Sequence, residues 1–139
     1  MVRATARLPW RVHLLATGAF AVGTSAYVVS GVLPLVSAGL GLSVAAAGQL
    51  TTVFALAYAL GAPVLAVLTG RWERRTLLVA ALATGAVGNL LCALAPNYPL
   101  LLGGRIVAAL GAAVLTPGAT AVATQLAAPA QRGRAVAAV

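Results

Sequence analysis

Apolar stretches alternate with short polar links along this chain, covering residues 14–36, 45–68, 77–95 and 100–123, and only the last contains a charge, Arg105. At a rise of about 1.5 Å per residue each stretch can cross a hydrocarbon layer of about 30 Å, and each is too continuously apolar for an ordinary water-facing core helix. The pattern predicts four membrane-spanning helices. After Arg134 the sequence turns apolar again as Ala-Val-Ala-Ala-Val, which is how a fifth span begins, near residue 135. The expected organisation is an arm at residues 1–13 followed, over residues 14–139, by an incomplete transmembrane domain. The expected fold class is all-α, a polytopic transmembrane helical bundle.

The links carry the orientation. The first, residues 37–44, holds two glycines and two serines, and the third is Pro96-Asn97-Tyr98-Pro99, whose prolines interrupt helix geometry; neither is charged. The arm has Arg3, Arg7 and Arg11, the second link has Arg71, Arg74 and Arg75 with Glu73, and the fourth has Arg132 and Arg134. Short Arg-rich segments stay on the cytoplasmic side, so the amino terminus and the second and fourth links are expected in the cytoplasm, in a cytoplasmic (inner) membrane. Trp10, Trp72 and Tyr98 stand near the predicted boundaries, where amphipathic rings favour the headgroup layer. Small residues at Thr24-Ser25-Ala26 could also end a cleaved signal segment, but the apolar run continues past them to Val36.

Composition agrees. The chain is 62% hydrophobic and 7% charged, against roughly 25% charged in soluble domains, so the lipid bilayer is its outer environment. The net charge of +8 does not point to nucleic acid, because the arginines cluster at membrane edges and form no basic stripe with polar neighbours. One cysteine, Cys92, lies inside an apolar run and reads as packing; no disulfide or metal-ligand spacing exists. Beyond Glu73 and a lone His13 there is no acid, base or metal constellation from which to build an enzyme, and no cofactor is expected.

Arg105 carries the most information. It lies six residues after Pro99, roughly 9 Å into the fourth helix, where a charge costs up to about 3 kcal/mol unless it is solvated or paired. At 100° per residue it shares a stripe with Ala108, Ala109, Ala112 and Thr116, while Ile106, Leu110 and Val114 lie opposite. Small residues mark helix contacts or a cavity wall, so Arg105 is expected to face the protein interior. Glu73 is the only acid and lies in a link, so the guanidinium must use carbonyls, hydroxyls, water, an anion or an acid from elsewhere. In the first helix Thr17, Phe20, Thr24, Tyr27 and Gly31 share one face, which either lines a substrate path or simply packs. Pro34 is expected to bend or end that helix. Gln49 and Asn89 are amides in or beside spans, suited to interhelical bonds or to a substrate path, and Pro117 is expected to set a kink.

The runs Gly-Thr-Ser-Ala-Tyr-Val-Val-Ser-Gly-Val-Leu-Pro from Gly23, Ala47-Gly48-Gln49-Leu50 and Ala59-Leu60-Gly61-Ala62-Pro63 together resemble the major facilitator superfamily, in its drug and sugar efflux branch of proton antiporters. The second link resembles the family signature Gly-x-Leu-x-Asp-Arg-x-Gly-Arg-Arg through Leu68, Arg71, Arg74 and Arg75, with Ala66, Gly70 and Glu73 in place of the first Gly, the Asp and the second Gly. The fourth helix resembles Arg-x-x-Gln-Gly-x-Gly through Arg105 and Gly111, with Ala108 and Ala109 replacing Gln and Gly. Many relatives have an acid where Ala26 stands.

The resemblance implies the first four helices, and the start of a fifth, of a twelve-helix fold in which two six-helix halves alternate access to a midplane site. It implies a secondary transporter exporting small organic compounds, drugs or sugars, with the proton as coupling ion. Phe20, Thr24, Tyr27, Gln49, Asn89 and Arg105 are the substrate-pathway candidates, and Arg71, Arg74, Arg75 and Arg105 the coupling or gating candidates. The expected partners are the lipid bilayer, a small-molecule substrate and the carboxy-terminal half, absent here. A chain of four helices and a stub is expected not to transport by itself. Two alternatives remain: a non-transporting membrane subunit packing against partner helices, and a small four-helix dimeric multidrug exporter, a class that depends on a membrane-embedded Glu absent here.

Overall fold

The computed structural model describes residues 9–139, and Arg3, Arg7 and most of the arm lie outside the described residues. The elements are α1 (Trp10–Leu40), α2 (Val44–Thr69), α3 (Arg74–Ala93), α4 (Tyr98–Leu126), a single 3₁₀ turn (Pro129–Gln131) and α5 (Arg132–Ala138), with no strand among the described residues. The first four are long and apolar enough to cross a membrane. The fold is all-α.

Helix ends depart from the apolar windows for local reasons. Helix α1 begins four residues earlier, at Trp10, because backbone hydrogen bonding continues through Arg11 and His13 whatever their polarity. It also runs through Pro34 to Leu40, so Pro34 does not end it. It stops at Gly41, whose φ of 61° is left-handed; the Gly41 amide donates to the Ala38 carbonyl and the Leu42 amide to that of Ser37, the paired closure that glycine permits. Ser43 then caps α2, its Oγ accepting from the Ala46 amide at 3.1 Å. Helix α3 ends at Ala93, two residues inside its window. Helix α4 starts within the proline-bracketed link, where the Asn97 carboxamide accepts from the Leu100 amide at 3.0 Å and Pro99 occupies a first-turn position that needs no donor. Pro63 and Pro117 both lie inside continuous helices.

Helix α4 is the centre of the bundle. It contacts α1, α2, α3 and α5, while α1 and α3 barely touch. Its interface with α3 is the most extensive and is made by small residues. A methyl group built on Gly88 would collide with the Ala108 backbone nitrogen, and one on Gly111 would lie 2.6 Å from that of Gly85. Lipid offers no hydrophobic drive to join two apolar helices, so close backbone approach is what holds them. Against α2 the packing is bulkier, with Leu110 filling the space beside Gly61. At one end of the bundle, Val12, Ala123, Ala127 and Ala135 form a cluster joining α1, α4 and α5.

Candidate functional site

The small-residue seam fixes where Arg105 can go. Gly104 lies against Cys92 and Ala108 against Gly88, so α4 is pressed onto α3 on both sides of Arg105. Its side chain therefore leaves the seam toward α1 and α2. Arg105 is 1% exposed, in line with the inward stripe read from the sequence, and Ile106 is 41% exposed.

Two contacts hold the guanidinium. Nη1 donates to the Ser25 backbone carbonyl of α1 at 3.1 Å, using a lone pair that the helix bond leaves free. The Phe54 ring of α2 lies against the guanidinium face, 4.2 Å from Cζ to the ring centroid, within the range of a cation–π contact. Nε and Nη2 are buried and have no hydrogen-bond partner. Arg105 thus joins three helices while keeping two buried donors unused.

Beside it runs a groove of about 370 Å³ between α1 and α3, lined by residues including Thr24, Ser25, Asn89, Cys92 and Arg105. Its two walls are tied by one bond, from Ser25 Oγ to Asn89 Oδ1 at 2.6 Å. A second cavity shares Ser25 and Asn89 and reaches Phe54 and Ala112. The site can offer charge, an amide, hydroxyls and an aromatic face in an otherwise apolar channel.

The sequence-read candidates separate into four places. Arg105, Asn89 and Thr24 come together at the groove. Gln49 lies elsewhere: Tyr98, at the start of α4, donates its hydroxyl proton either to the Ala46 carbonyl at 2.8 Å or to Gln49 Oε1 at 3.1 Å, tying α4 to α2. Phe20 and Tyr27 are 75% and 79% exposed among the described residues, and Thr17 and Gly31 share that outward face. Arg71, Arg74 and Arg75 are exposed in the α2–α3 link and the first turn of α3, and Arg74 borders a cavity with Gly70 and Pro117. Asn89 lies roughly 22 Å from Arg74 along α3, so the link arginines and Arg105 form separate clusters. Sequence reasoning missed Ser25 and Phe54 as partners of Arg105. Nothing local marks them, since the Ser25 bond spans 80 residues of chain.

The family model described as Major Facilitator Superfamily matches residues 15–139. An uncharacterised MFS-type transporter of Bacillus subtilis is 42% identical over 130 residues, covering 94% of this chain and 33% of the relative. A chloramphenicol resistance protein of Streptomyces lividans is 35% identical over 94% of this chain and 33% of its own length. A chloramphenicol efflux pump of Mycobacterium tuberculosis is 34% identical over 94% of this chain and 32% of its own length. The chain spans about a third of the length of these relatives.

Proposed function

The chain belongs to the major facilitator superfamily, and from that membership we propose that it forms the first helices of a secondary transporter that exports small organic compounds, drugs or sugars, with the proton as coupling ion. The observation that carries this reading is Arg105, a guanidinium 1% exposed within a membrane-crossing helix and left with two unpartnered nitrogens. Ionisable side chains in such positions are costly and mark substrate or proton paths. The groove beside it, the chloramphenicol resistance named for one relative and the chloramphenicol efflux named for another support the same reading. Alternating access needs a second bundle to rock against this one, so the four helices act with further helices of the transporter and residues 1–139 alone do not transport. The test is drug uptake into inverted vesicles under an imposed proton gradient. A whole transporter containing this chain is expected to concentrate chloramphenicol, and vesicles holding only residues 1–139 are expected to match protein-free ones. Gradient-driven uptake by the short chain would refute the second statement, and none by the whole transporter, for any drug or sugar tried, the first.

The arginine clusters support an amino terminus on the cytoplasmic side of the cytoplasmic membrane. In a Cys92→Ala background, Trp72→Cys is expected to react with a membrane-impermeant thiol reagent in inside-out vesicles and to resist it in right-side-out ones. The opposite pattern would reverse the topology.

A further inference from the structure

The unused donors of Arg105 have a defined shape. Nε and Nη2 form the side-on edge of a guanidinium, two N–H groups pointing the same way, and both are buried without a partner, whereas the bond to Ser25 uses Nη1 alone. The Phe54 ring covers one face of the group, so an incoming acceptor meets it in the guanidinium plane. The chain's one acid, Glu73, precedes the first residue of α3, while Arg105 borders a groove with Asn89 and Cys92 near the far end of that helix. No carboxylate of this chain reaches the edge.

We propose that the groove between α1 and α3 binds the carboxylate of a small organic acid, its two oxygens accepting from Nε and Nη2 of Arg105. A planar two-oxygen group is the acceptor whose spacing matches this edge, and the match is strongest where water is excluded. The groove also suits the rest of such a molecule. Its volume of about 370 Å³ lies at the lower end of the roughly 300–1,000 Å³ of small-molecule sites, and Ala21, Val28 and Val29 give it an apolar wall for a hydrocarbon body. The Asn89 carboxamide adds a polar group at the rim, where its bond to Ser25 is the single tie between the walls and the contact that yields as the ligand enters.

This inference rests on the transporter reading and names a substrate class for the same site, but equilibrium binding needs no flux. The probes are radiolabelled benzoate and its neutral isostere benzamide, added to the purified full chain in lipid nanodiscs. Benzoate is expected to bind saturably and benzamide about tenfold more weakly, or less, for want of charge-assisted bonds. Bound benzoate is expected to slow alkylation of Cys92, the groove's own thiol, by N-ethylmaleimide several-fold. Arg105→Gln should abolish the preference for benzoate, and Arg105→Lys, which keeps the charge and loses the edge, should retain only part of it. The proposal is overturned if the unmodified chain binds neither probe, binds both alike, or binds benzoate without protecting Cys92; these comparisons need no variant to fold. Drug export without benzoate binding would remove this inference and leave the transporter reading, and benzoate binding without transport by the whole protein would do the reverse.

Discussion

Gly88→Ala is expected to separate α3 from α4 and to lower the stability of the bundle by about 3 kcal/mol, the upper end of the usual cost of overpacking. The added methyl carbon would stand 2.6 Å from the Ala108 Cα and nearer still to its backbone nitrogen, roughly 1 Å short of van der Waals contact. No rotamer change relieves a clash with backbone. The helices must move apart, and every close contact along the seam weakens with them, from Gly104 against Cys92 to Gly111 against Gly85. In lipid the opened seam is not repaired by a hydrophobic drive to re-close it. Arg105 would lose its placement as well, since Gly104 and Ala108 fix the helix on both sides of it. The control is Gly48→Ala, where nothing lies within 4 Å of the added carbon. Thermal unfolding of the purified proteins should show a large fall for Gly88→Ala and none for Gly48→Ala. Equal transitions would mean that the two backbones do not approach this closely.

That seam shows where sequence reading succeeds and where it ends. The four spans were legible because lipid imposes one requirement along the whole chain, uncharged length, and the inward face of Arg105 was legible because helical period alone groups it with Ala108, Ala109 and Ala112. Helix ends were less so. Arg11 and His13 close an apolar window without interrupting backbone hydrogen bonds, and Pro34 removes a single donor that a long helix tolerates. The stripe of Thr17, Phe20, Thr24 and Tyr27 has the same period as a pathway and as an outer face. The structure places Phe20 and Tyr27 on the outside of the described bundle and Thr24 at the groove, so the period by itself does not say which residues of the stripe reach a cavity. The partners of Arg105 lay beyond reach for a related reason. Ser25 and Phe54 meet it through the register in which α1 and α2 dock on α4, a register set by many small contacts.

Arg105→Met separates what this side chain does for the fold from what it does for function. Placing a guanidinium in a membrane-crossing helix costs about 2.5–3.5 kcal/mol at the centre. Against this stand one hydrogen bond from a charged donor, worth about 1.5–3 kcal/mol, and the contact with Phe54, worth about 0.5–2 kcal/mol. The terms nearly cancel, and two nitrogens remain unsatisfied. Methionine keeps most of the buried stem and removes both the charge and its unmet bonds. Such replacements of buried charge by apolar groups are often neutral or stabilising. The variant is therefore expected to unfold at the same temperature as the parent or a higher one, and gradient-driven export by the whole transporter is expected to fall to the level of protein-free vesicles. That pairing is what a residue retained at the expense of stability predicts, because function is then the reason for keeping it. A variant that loses several kcal/mol while the surviving folded protein exports normally would make Arg105 a structural pin joining α1, α2 and α4, and the transport path would have to be sought elsewhere.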